Sequence, residues 1–157
     1  MQGKYLLTLL TIAFVTLSGC ASIPKETNHD KVAHIKGFPP PEKGKAGVYI
    51  FRDGIFGSAL KKDLWIDGKC IGESASNTFF YIQVQGNREH TITTESEFSP
   101  NSLTIKTDAG KNYFIRQYIK MGVFVGGADL ELVAPNEAKP IIQKLDLAKP
   151  GICSSTP

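Results

Sequence analysis

Asp63-Leu64-Trp65-Ile66-Asp67-Gly68-Lys69-Cys70-Ile71-Gly72 sets two short apolar runs on either side of an Asp-Gly pair. Asp-Gly tolerates the positive φ of a type I′ turn, so Asp63–Asp67 and Lys69–Gly72 read as the arms of a β-hairpin. The same grammar continues in both directions. Upstream, Ala46–Arg52 (AGVYIFR) opens the pattern, and Asp53-Gly54 with Gly57 marks a turn. Downstream, Phe79–Gln85 (FFYIQVQ) places Phe80, Ile82 and Val84 on one face, Gly86-Asn87 closes it, and Arg88–Thr94 returns. Ser102–Thr107 alternates, with Leu103 and Ile105 inward and Thr104 and Lys106 outward. Asp108–Gly110 turns, Asn112–Lys120 (NYFIRQYIK) runs long, and Ala128–Val133 completes the set. Short strands every 8–12 residues or so predict an all-β domain over 46–148, a single antiparallel β-sandwich of about eight short strands. Pro135–Leu147 is read as a short C-terminal helix begun by Asn136, although Ile141, Gln143, Leu145 and Leu147 also fit a strand. Residues 149–157 are expected to form a tail.

The chain has 157 residues, enough for one domain. Apolar residues make up 41% and charged residues 21%, which excludes disorder throughout. The net charge of +3 is small and dispersed, so nucleic acid is not an expected partner.

The first 19 residues differ from the rest. Lys4 is their only charge, Leu6–Leu17 is an uncharged apolar run, and small residues follow at Ser18-Gly19-Cys20-Ala21. Twelve residues make a helix of roughly 18 Å, short of a bilayer core of about 30 Å. The segment 1–19 therefore reads as an export signal. Leu17-Ser18-Gly19-Cys20 resembles the lipobox of bacterial lipoproteins. The resemblance implies diacylglyceryl transfer to the Cys20 thiol, cleavage before Cys20 and acylation of the new α-amine. Ala21 stands where a retention signal has Asp, which by the same resemblance points to the outer membrane, with the protein facing the periplasm. Residues 20–45, with Pro24, Pro39-Pro40-Pro41 and Gly44, are expected to be a flexible tether of roughly 25–30 Å reach.

Val48-Tyr49-Ile50-Phe51-Arg52, Leu64-Trp65-Ile66-Asp67-Gly68-Lys69 and Ala109-Gly110-Lys111-Asn112-Tyr113-Phe114 carry a family resemblance. Lys120-Met121-Gly122 and Leu130-Glu131-Leu132-Val133 extend it. From Val48 to Leu147 the chain resembles the bacterial lipoproteins grouped as domain of unknown function 2846. That likeness implies kinship with PEGA-like and transthyretin-like sandwiches. PEGA-like proteins have Pro-Gly before the strand carrying the His, whereas this chain has Gln85-Gly86-Asn87-Arg88-Glu89-His90. The resemblance implies fold and location only.

Reactive constellations are sparse. His90 is the one histidine inside the domain, Ser74 and Ser76 lie beyond the first hairpin, and no Gly-x-Ser-x-Gly elbow exists. His90 reads as a strand-end hydrogen bonder, and Glu95 and Glu97 as solvated charges. His29, His34 and Asp30 fall in the expected tether, where they read as solvated side chains and not as a metal site. Gly54 and Gly57 do not build a phosphate loop. Phe114, Arg116, Tyr118 and Lys120 imitate a single-strand nucleic-acid platform, but export and low charge argue against one. No enzyme activity, cofactor or metal is expected.

Two function classes remain: a non-catalytic envelope module, acting as spacer or interaction domain with the membrane and an unknown envelope protein as partners, and a carrier of small ligands or lipids. With Cys20 consumed, Cys70 and Cys153 are left in an oxidising compartment, either paired or free, with Cys70 buried and Cys153 exposed in the free case. Val123, Phe124 and Val125, in the loop Met121–Gly127, are apolar where a solvated loop carries polar residues. They read either as a partner contact or as a plug folded back over one end of the core.

Overall fold

Val48-Tyr49-Ile50-Phe51 is apolar at every position instead of every second one, the pattern of a strand covered on both faces. The structure, a computed structural model, describes residues 21–157; the segment 1–19 read as an export signal and Cys20, the expected lipidation residue, lie outside the described residues. In it this run lies in β1 (Lys45–Arg52), buried from Ala46 to Arg52. The other strands are β2 (Lys62–Ile66), β3 (Lys69–Ser74), β4 (Thr78–Gln85), β5 (Arg88–Thr94), β6 (Asn101–Thr107), β7 (Asn112–Lys120), β8 (Gly127–Val133) and β9 (Asp146–Leu147). Helices α1 (His29–Lys36) and α2 (Pro135–Ile142) complete the described elements.

The protein is mostly β, with two sheets. One has five strands in the order β8-β7-β1-β4-β9, the other four in the order β3-β2-β5-β6. Val48, Ile50, Phe80 and Ile115 of the first sheet meet Leu64, Ile66, Ile92 and Ile105 of the second in one core. The outer face of the five-stranded sheet carries a second cluster. There Tyr49, Phe51, Phe79 and Phe114 lie beneath Ile35 of α1 and Ala138 and Ile142 of α2. Alternate residues of β1 thus feed two cores, which accounts for its unbroken apolar run.

Several expectations need correction. There are nine described strands, and the sheets are not purely antiparallel: β1 pairs with β7 in parallel, Tyr49 opposite Phe114, and β4 pairs with β9 in parallel. Periodicity gives the strands but not their neighbours, and β7 reaches β1 only after the chain has built the other sheet. The helix-or-strand ambiguity at 135–147 resolves as both. Pro135 starts α2, and Asp146-Leu147 then adds a short strand to the edge of β4. The Asp67-Gly68 turn has φ of 51° and 74°, the two positive values that a type I′ turn requires.

Residues 21–45 are not a free tether. Asn28 caps α1 by accepting from the Lys31 amide, and Ile35 is buried where the Tyr49 hydroxyl donates to its carbonyl at 3.0 Å. The Glu26 amide donates to the Leu147 carbonyl at 2.8 Å, Ile23 is buried, and the Asn112 amide nitrogen donates to the Pro39 carbonyl at 2.9 Å. Scattered single contacts of this kind have no period to read. The tail is docked too. The Gly151 amide donates to the Ile71 carbonyl, and Ser154 and Ser155 give four hydrogen bonds to the buried Asp63 carboxylate at 2.8–3.0 Å.

Candidate functional site

Strand directions bring four connections to one end of the two sheets. β1 and β7 run parallel and end together, at Arg52 and Lys120. Lys62, at the start of β2, lies opposite Ser74, at the end of β3; Leu64 lies opposite Thr94, at the end of β5. The segments 53–61, 75–77, 95–100 and 121–126 therefore share this end, and the turns at Asp67-Gly68, Gly86-Asn87 and Asp108–Gly110 share the other.

These connections are tied to one another. The buried Arg52 guanidinium donates to the Leu60 carbonyl at 2.8 Å and to the Gly57 carbonyl, holding the 53–61 loop from beneath. Burial pulls this guanidinium down to about 10, so it remains a cation at neutral pH. Gly57 sits against the side chain of Ile119, and Gly126 against that of Leu60. Ser76 donates to the Gly54 carbonyl.

Glu97 joins the 95–100 segment to the 121–126 loop. Its carboxylate accepts the amides of Val123 at 2.7 Å, of Phe124, and of Val125 at 3.1 Å. Three donors on one anion favour its charged form. The carboxyl is held below its ordinary value of 4.5, chiefly by the Phe124 amide, although desolvation opposes this. The expectation that Glu97 is merely a solvated charge is corrected accordingly. Gly122 permits the turn: a Cβ there would lie 1.7 Å from the Val125 carbonyl oxygen and 2.4 Å from Glu97 Oε2.

The surface of this end is apolar. Phe124 is 84% exposed, Val123 74% and Val125 54%, so these side chains do not plug the core. Ile55 and Phe56 project from 53–61, Met121 flanks the tip, and Phe98 meets Phe124 edge to face at 6.5 Å between ring centres. Residues 54–60 and 121–128 contain no charged side chain. Behind them stand the ion pairs Lys61–Glu73, Lys62–Glu95 and Lys120–Asp129. The Ala21 amide donates to the Ser58 carbonyl at 3.1 Å, and the Ser58 amide to that of Ile55, so the start of the described chain lies at this same end. The contributions of Ile55, Phe56 and Phe98 escaped sequence reading, whereas Met121 falls within the loop Met121–Gly127 that it singled out. The signal available was two bulky apolar residues between Gly54 and Gly57, where a turn was assigned.

The remaining candidates are placed as follows. Cys70 and Cys153 are joined in a disulfide with Cα atoms 5.9 Å apart. An open depression beside it is lined by Trp65, Cys70, Gly151 and Ile152. His90 is buried and both ring nitrogens are engaged, Nδ1 with Asp67 at 2.6 Å and Nε2 with the Gln85 carbonyl at 2.7 Å. Ser74 is buried in a chain with Gln117 and Thr94. Phe114 is covered, and Arg116 is tied to Asp53, Glu131 and Glu137, so the nucleic-acid platform is not assembled. His29 and His34 are exposed on α1, and among the described residues no group of three or more His, Cys, Asp or Glu is placed to hold a metal.

An uncharacterized protein of Haemophilus influenzae (strain ATCC 51907 / DSM 11121 / KW20 / Rd) is 55% identical over 132 residues, covering 84% of this chain and 77% of the relative. No solved structure matches the chain. A family model described as protein of unknown function (DUF2846) matches residues 42–128, from just before β1 to the second residue of β8. The chain belongs to this DUF2846 family.

Proposed function

We propose that this protein is a non-catalytic, lipid-anchored lipoprotein of the bacterial envelope, facing the periplasm from the outer membrane, whose folded domain is an interaction module held at the membrane surface. The observation that carries this reading is Leu17-Ser18-Gly19-Cys20 directly after the uncharged run Leu6–Leu17. A thiol is the nucleophile that lipid transfer requires, and two or three acyl chains give stable anchoring at about 0.8 kcal/mol per buried CH₂. The Cys70–Cys153 pairing fits an oxidising compartment. The engagement of both His90 ring nitrogens with fold-holding partners favours a structural role for this histidine over acid–base work. The docking of residues 21–45 favours a module close to the membrane over a long spacer.

Intact mass of detergent-extracted protein tests the reading. The expected chain begins at Cys20 and carries glycerol with two or three acyl groups. An unmodified chain, or Cys20→Ala protein that still partitions with membranes, overturns it.

A further inference from the structure

We infer that the apolar end of the sheets is a membrane-docking surface: Ile55, Phe56, Phe98, Val123 and Phe124 enter the interfacial region of the bilayer that holds the Cys20 lipid. This rests on the anchoring proposed above and names what the domain itself touches.

Four observations select lipid as the occupant. First, position: Ala21, the residue bonded to Cys20, donates to the Ser58 carbonyl in the loop that carries Ile55 and Phe56. A lipid on Cys20 therefore leaves the domain at this end. Second, chemistry: the tips are uncharged over 54–60 and 121–128 and present aromatic and branched apolar side chains. Third, backbone satisfaction: loop amides enter an apolar phase only when paired internally. Glu97 accepts three successive amides at the tip, Val123 to Val125, and Arg52 donates to two carbonyls of the 53–61 loop. Fourth, the flank: Lys61 and Lys120, partly exposed behind the tips, have stems long enough to lie along the interface with their ammonium groups in the headgroup layer. A protein-binding patch needs neither the anchor at its edge nor amides sealed from within.

The test uses the full-length lipidated protein in vesicles of phosphatidylethanolamine and phosphatidylglycerol, part of them with brominated acyl chains. Phe124→Trp and Ile55→Trp report from the tips, and Lys69→Trp from the turn at the opposite end. The native Trp65, buried on the face of the four-stranded sheet that the C-terminal tail covers, supplies a constant background. The expected result is a blue shift and a roughly two-fold or larger loss of the added emission for Phe124→Trp and Ile55→Trp, as a side chain about 5–10 Å into the boundary should show. Lys69→Trp should be unaffected. Protein that carries lipid at Cys20 and floats with vesicles, yet leaves both tip tryptophans unquenched, overturns the docking surface and leaves the anchor standing. So does in-cell photo-cross-linking from position 124 to a protein when the tip tryptophans stay unquenched. An intact mass without lipid on Cys20 overturns both readings.

Discussion

Removing the Cys70–Cys153 bridge should destabilise the domain mainly through its unfolded state. The bridge closes a loop with a sequence separation of 83. The chain-entropy account assigns such a loop about 4.5 kcal/mol at 25 °C. In the folded protein the tail has other attachments. Asp63 accepts four hydrogen bonds from Ser154 and Ser155, and the Gly151 amide bonds to Ile71. Cys70→Ala/Cys153→Ala should therefore keep the tail docked, and the loss comes from the larger freedom of the unlinked unfolded chain. With a urea slope of about 2 kcal/mol per molar, a loss of roughly 3–4.5 kcal/mol lowers the midpoint by about 2 M. Equilibrium unfolding followed by far-UV circular dichroism measures this, and thiol labelling of unreduced, denatured wild type checks the premise. A midpoint shift under roughly 0.5 M, or two reactive thiols in the wild type, would refute the reasoning.

Phe124→Ala should change stability by less than about 0.5 kcal/mol because the ring is exposed, whereas a core plug would cost roughly 3–5 kcal/mol; thermal unfolding separates the two. Tyr49→Phe removes the hydroxyl that donates to the Ile35 carbonyl and should cost about 1 kcal/mol; hydrogen exchange should quicken in α1, and unchanged protection there would count against a docked helix. Glu97 has its carboxyl lowered from 4.5 in the folded state, so its contribution is complete above pH 4.5 and is lost as the pH falls through the lower folded value. The amide resonances of Val123, Phe124 and Val125 should then move together below pH 4.5 and stay still in Glu97→Gln; a common midpoint at or above 4.5 would contradict the geometry.

What could be read from the sequence is what repeats or turns sharply. The Asp67-Gly68 hairpin, the alternation of Leu103 and Ile105 in β6, and the run that became β7 each follow from local chemistry. Strand neighbours were not legible, because pairing β1 with β7 depends on the β2–β6 connection between them. The docked neck was illegible for a different reason: it is held by isolated contacts, Ile23, Ile35 and the Asn112–Pro39 hydrogen bond, each ordinary by itself. In the candidate site, the oddity of Val123-Phe124-Val125 was plain, since three apolar residues between glycines stand out. Glu97 was not, because a carboxylate that satisfies three amides from 26 to 28 residues away leaves no local trace.

The docked neck changes what an anchor at Cys20 would do. A flexible segment of about 25 residues would let the domain tumble within roughly 25–30 Å of the membrane, with no surface preferred. Here Ala21 is fixed to Ser58, Glu26 to Leu147 and Ile35 to Tyr49, so the offset from Ala21 to the loop tips is set by the fold. A lipid next to Ala21 then confers orientation as well as tethering. Each tip that enters the interface does so at the high effective concentration that the attachment supplies, so individually weak insertions add to a defined pose. In that pose the turns at Asp67-Gly68, Gly86-Asn87 and Asp108–Gly110 point away from the bilayer. They are the polar end, with Lys111 paired to Asp108 and Asn87 accepting from the Ala109 amide. A soluble partner would meet that end, and a membrane-embedded one would meet the sides of the apolar end.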